Sequence, residues 1–106
     1  PMTLHFDAIG MFRRGRCWLV PAVTSDIAAR QERVVQAVES TGADLHKHYQ
    51  PGVWVPHCTV APRTRLEELA KLAAAVYDVL PLVATVESAA LVNSSTGEIR
   101  PLPKLP

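Results

Sequence analysis

His57 and Thr59 stand two residues apart in the segment Pro56-His57-Cys58-Thr59-Val60. On an extended chain that spacing sends both side chains out of one face and turns Cys58 and Val60 to the other, into a core. An imidazole changes its protonation close to neutral pH, so it can take a proton from one oxygen or give one to another. A hydroxyl beside it can donate to a phosphate oxygen and hold that group in reach. The pair therefore suits proton transfer on a bound anion, although a histidine-x-threonine tripeptide is short and also describes an ordinary strand histidine with its hydrogen bonds satisfied.

Several neighbours are candidate contacts for the same ligand. Arg63 follows the motif and reads either as a phosphate contact or as a solvated charge ahead of a helix. Trp54 precedes it and can stack on a base or pack in the core. His48 and Tyr49 read either as part of a polar loop or as the border of a cleft beside the motif, and Trp18 can stack on a base but reads rather as core. Arg13, Arg14 and Arg16 form a basic turn, either touching phosphate groups or solvated. His46, His48, His57 and Cys58 can be written as a zinc set, but their spacing matches no structural zinc pattern, and no metal or other cofactor is expected.

These residues need elements to position them. Leu4 to Ile9 alternates as a strand, with Leu4, Phe6 and Ala8 on one face and His5, Asp7 and Ile9 on the other. Arg13-Arg14-Gly15-Arg16 reads as a hairpin turn, and Cys17 to Val20 as the returning strand with Pro21 near its end. Thr24 or Ser25 caps a helix running to about Ser40, with Ile27, Val34 and Val38 as its buried stripe, Gln31 between them, and Gly42 as its stop. Residues 43–52 carry no period and read as loop. A third strand covers Trp54 to Ala61, with Pro56 demanding an edge or a break in the ladder.

Thr64 to Glu67 spells a capping box, and Leu66, Leu69, Ala73, Val76 and Leu80 share one helical face before Pro81. Val83 to Val92 reads as one strand, Asn93 to Gly97 as a turn, and a short last strand surrounds Ile99. The order β-β-α-β-α-β-β makes an α+β fold, a mostly antiparallel sheet with two helices on one face. Residues 1–106 form a single domain, and Pro101 to Pro106 an irregular tail.

A formal net charge of +1 leaves no global basic field, so any nucleic-acid contact has to be local. The two cysteines show no CxxC spacing and are expected to be reduced, which points to the cytoplasm. No apolar run reaches the length of a membrane span, and no membrane partner is expected.

The arrangement around the motif resembles a known family. Asp7 to Phe12, the turn Arg13 to Arg16 and Cys17 to Val20, then a helix, then Tyr49-Gln50-Pro51-Gly52-Val53-Trp54-Val55-Pro56-His57-Cys58-Thr59-Val60, and later Val86 to Ser94, are similar in order and spacing to the second half of 2H phosphoesterases of the 2′-5′ RNA ligase-like group. The resemblance covers nearly the whole chain. It implies one part of a bilobal fold in which two H-x-T motifs face each other across a cleft. It also implies cofactor-free phosphodiester chemistry on RNA ends or cyclic nucleotides: 2′,3′-cyclic phosphate opening or 2′-5′ linkage processing. One histidine serves as general base and the other as general acid, with the threonines on the phosphate; here those roles fall on His57 and Thr59. Two departures stand out. The chain holds no second H-x-T, His5-Phe6-Asp7 being its nearest imitation, and Pro62 intervenes before the arginine that the family often carries after its second motif. The expected partner is accordingly a missing N-terminal half or a second copy. The alternative is a catalytically incomplete RNA-binding or interaction module.

Overall fold

The structure, a computed structural model, describes residues 2–13 and 15–106. It is an α+β fold of two helices and a curled antiparallel sheet. The long strand β1 (Met2–Phe12) turns through Gly15, whose φ is +79° and whose N–H donates to the Phe12 carbonyl at 3.0 Å, into β2 (Arg16–Pro21). The Arg14 of this expected basic turn lies outside the described residues. Strands β3 (Cys58–Ala61) and β4 (Leu82–Val86) complete a sheet of order β3-β2-β1-β4, so the motif strand is an edge.

Two bulges decide which residues face where. Phe6 pairs with Pro21 but Ala8 with Val20, leaving Asp7 as an extra residue in β1. An unpaired residue reverses the alternation downstream. The expected grouping of Leu4 and Phe6 with Ala8 is therefore corrected: Ile9, not Ala8, joins the core formed by Phe6, Leu19 and Val76 with Leu4, Leu72, Leu80 and Ala84 around them. In β3, Thr59 pairs with Trp18 and Ala61 with Cys17, so Val60 is the extra residue. Cys17 is fully buried on the core side of the same ladder.

Thr24 caps α1 (Ser25–Ser40), its hydroxyl accepting from the Ile27 N–H at 3.2 Å, and Gly42 follows the helix end with φ +79°. The buried side chains are Ile27 and Val35; the expected Val34, Val38 and Gln31 are only half-buried. This helix is tied to the loop before β3 by Gln31 Nε2 donating to the Tyr49 carbonyl at 2.5 Å, and to the chain's last residues by Arg30 donating to the Pro106 carbonyl at 2.6 Å. The loop contains one short 3-10 turn, Lys47–Tyr49.

Before α2 (Leu69–Tyr77) the chain makes a 3-10 turn over Leu66–Glu68. The capping box expected at Thr64 does not form, because neither helical segment has a side-chain cap there and the Thr64 carbonyl packs against Gly15 instead. Leu66 is consequently outside the buried helical face and 81% exposed, while Val76 reaches the core. The expected single strand Val83 to Val92 is two: β4 ends at Val86, and β5 (Ala90–Val92) pairs separately with β6 (Ile99–Pro101). Glu87, Ser88 and Ala89 let the chain leave the main sheet, and Pro101 belongs to β6 and not to the tail.

Candidate active site

The strand expected over Trp54 to Ala61 begins only at Cys58. Pro56 has no N–H to give to a ladder, and it restricts Val55 before it to extended geometry. His57 is thus the last residue outside β3, and its ring turns back so that the Nδ1–H donates to the Val55 carbonyl at 2.7 Å. A carbonyl can only accept, so this bond assigns the proton of the neutral ring to Nδ1 and leaves the Nε2 lone pair free. The free nitrogen is the one able to accept a proton from a bound group.

Thr59 pairs with Trp18, which in turn pairs with Gly10. These three share the sheet face opposite the Phe6–Leu19–Val76 core, and the alternation adds Phe12 and Arg16, which pair with each other further along the same ladder. Phe12 and Trp18 make an aromatic floor with ring centres 4.7 Å apart. The His57 ring stands edge-on to Phe12, centres 5.1 Å apart at 86°, and lies 5.7 Å from Trp18. Gly10 permits this, because a β-carbon there would overlap the indole. The Trp18 Nε1–H is buried with no hydrogen-bond partner among the described residues. His57 and Thr59 themselves are exposed.

Cys58 and Val60 correct an expectation. Both are exposed rather than buried, Val60 at 44%. Cys58 pairs with Leu19 and so belongs by register to the core face, but β3 is the outermost strand and the core cluster stops at Leu19. Val60 is out of register altogether.

The other candidates disperse. Trp54 is half-buried and lines a cavity of about 240 Å³ with Pro56 and with Ala28, Gln31 and Glu32 of α1, whereas the rings beside His57 are Phe12 and Trp18. His48 is exposed in the 3-10 turn, its ring 4.8 Å from that of His46. Among the described residues no three His, Cys, Asp or Glu side chains converge as a metal set, which removes the His46, His48, His57 and Cys58 grouping. Arg63 is exposed just past β3 and makes no ion pair among the described residues. His5 shares the open face but sits on β1, two strands across from β3 and five residues along from Gly10, which is level with Thr59.

Sequence reasoning missed Phe12 and Gly10 as parts of the site and Arg16 as a residue on its face. The signal lay in the alternation of Arg16, Trp18 and Val20 opposite Gly10 and Phe12, readable once the hairpin register is known.

What these features define is an α+β sheet that offers an imidazole and a hydroxyl side by side at one edge. A sequence model of the 2′-5′ RNA ligase superfamily matches residues 1–98, and the chain belongs to that superfamily of 2H phosphoesterase-like proteins. Neither the curated proteins nor the solved structures contain a significant match.

Proposed function

We propose that this protein is a metal-independent phosphodiesterase acting on RNA ends, opening 2′,3′-cyclic phosphates or processing 2′-5′ linkages. The observation that carries the reading is the tethered His57 ring, Nδ1 on the Val55 carbonyl and Nε2 free, on a face shared with the Thr59 hydroxyl. Thr59 donates to a non-bridging phosphate oxygen and stabilises the charge that grows there. His57 Nε2 takes a proton from the attacking water as the new P–O bond forms, or, in its protonated state, gives one to the ribose oxygen as the old P–O bond breaks. One ring cannot occupy both sides of one phosphorus. The second proton-transfer group therefore comes from another H-x-T lobe, either an N-terminal half to which residues 1–106 are the C-terminal partner or a second copy of this chain. Arg63, exposed just past β3, is the residue assigned to assist the phosphate.

The test is hydrolysis of a 2′,3′-cyclic nucleotide by the complete protein in the presence of a chelator. Turnover that persists with EDTA and disappears in His57→Ala is the expected result. Loss of turnover in EDTA, restored by zinc or manganese, would overturn the mechanism, and so would full turnover by a demonstrated monomer of residues 1–106. The second reading, an RNA-binding module without catalysis, is favoured by the single H-x-T in these residues; binding of RNA ends without turnover by the complete protein would establish it.

A further inference from the structure

The four-stranded sheet has two outer edges, and they are finished differently. At one, β3 is bracketed by Pro56 and Pro62 and broken by the bulge at Val60. Prolines and bulges are among the devices that keep an edge from pairing with a further strand. At the other, β4 pairs with β1 over five consecutive residues, from Phe6 with Leu82 to Met2 with Val86, without a register break. No proline and no charge falls within β4, and Pro81 stands just before it. Its outer side meets no other strand among the described residues.

This edge leaves apolar surface uncovered on both faces of the sheet. Ala84 packs at the margin of the core, but Leu82 on the same face stays 40% exposed, and Val83 on the open face 60%. The sequence Leu82-Val83-Ala84-Thr85-Val86 is also nearly symmetric about Ala84 in side-chain size and branching. Antiparallel pairing with a second copy, across a two-fold axis at Ala84, sets Leu82 against Val86, Val83 against Thr85, and Ala84 against itself. On the core face large side chains then meet at each end and small ones at the axis. On the open face each pair joins two β-branched side chains, which pack well on a pleated surface. Glu87, the first charge beyond the strand, falls opposite Pro81 of the copy, so no like charges meet. A foreign strand would need none of this symmetry.

We infer that β4 is the contact edge of a homodimer, in which two copies join their sheets through antiparallel β4 strands centred on Ala84. The strand order β3-β2-β1-β4 then continues as β4-β1-β2-β3 of the second copy. The two motif strands lie at the far ends, seven strand spacings (about 34 Å) apart along the sheet. A copy docked here therefore leaves the second proton-transfer group to another lobe, and the interface does not depend on the proposed chemistry.

The experiment is sedimentation velocity on the complete protein over a concentration series, with the thermal midpoint of each variant as the check on folding. The parent is expected to pass from monomer to dimer as concentration rises. Val83→Lys, at an exposed site, sets two ammonium groups on diagonal positions across the axis. It is expected to raise the dimer dissociation constant about tenfold or more. Val60→Lys, on the opposite edge, should leave that constant unchanged. Register has its own readout: in a Cys58→Ser background, Ala84→Cys treated with a thiol oxidant should give a covalent dimer. Directly opposed antiparallel residues have Cα atoms about 4.5–5.5 Å apart, within disulfide reach. A parent that stays monomeric at every concentration would overturn the inference. So would a dimer indifferent to Val83→Lys, or one lost through Val60→Lys alone. A dimer that gives no Ala84→Cys cross-link would overturn it too, since another edge or register would then join the copies.

Discussion

The two faces of the four-stranded sheet are built by opposite rules. On one, Leu4, Phe6, Ile9 and Leu19 meet Leu72, Val76 and Leu80, and apolar side chains are removed from water. On the other, Gly10, Phe12, Arg16, Trp18 and Thr59 alternate small, aromatic, charged and hydroxyl groups on the side that supports His57. The same strands supply both. The covered face sets stability through area buried, while the open face sets chemistry by fixing one ring: Gly10 admits the indole, the indole and Phe12 support the imidazole, and Val55 orients it. Substitutions on the two faces should therefore separate stability from activity.

The largest effect expected is on the open face. His57→Ala should lower turnover of a 2′,3′-cyclic substrate by about 10²–10⁴-fold, while the thermal midpoint stays unchanged because the ring is exposed. A large fall in the midpoint would make His57 a structural residue and erase the contrast. On the covered face, Phe6→Ala should cost about 3–5 kcal/mol of unfolding free energy, since Phe6 is 5% exposed at the centre of the core. Denaturant titration measures this.

Gly10→Ala crosses the two rules. Alanine in a strand is ordinarily better than glycine by roughly 0.5–1 kcal/mol. Here the added methyl overlaps Trp18, so the variant should instead lose about 1–3 kcal/mol and should also lose activity as the floor under His57 shifts. A stabilised, active Gly10→Ala would show that the Trp18 support is dispensable. The smallest effect belongs to Cys58→Ser, expected within about 0.5 kcal/mol of the parent. In the native protein a maleimide should label Cys58 and spare Cys17, which is fully buried; protection of both thiols would mean that the edge strand is covered.

Much of this arrangement was legible from residue pattern. Thr24 and Gly42 mark the ends of α1 and Gly15 marks the hairpin, each through a backbone requirement that acts locally; Pro56 signals a break in the ladder, but the strand begins at Cys58 and not at Trp54. The misassigned faces share one cause. A bulge is a property of two strands in register, so Asp7 and Val60 carry no local sign that they break the alternation, and alternation alone puts Ala8, Ile9 and Val60 on the wrong faces. The exposure of Cys58 likewise depends on sheet order, which a strand's own residues do not encode. The capping box at Thr64 does not form, and the Thr64 carbonyl lies against Gly15 of the β1–β2 turn, a contact distant in the chain. Of the site, the motif was visible and its aromatic floor was not, because Phe12 and Trp18 meet His57 only through pairing.

Pro56 has a further consequence for how this histidine is held. An edge strand of four residues is hydrogen-bonded along one side only and is among the first parts of a sheet to fray. The tether on His57 does not depend on that ladder: its acceptor is two residues back, across a proline whose own φ is fixed and which confines Val55 to extended conformations even in the unfolded chain. Part of the backbone entropy is therefore already removed before the ring closes onto the Val55 carbonyl. The tautomer of the proton carrier is thus set by three consecutive residues, and transient opening of the strand that presents it should leave that setting intact.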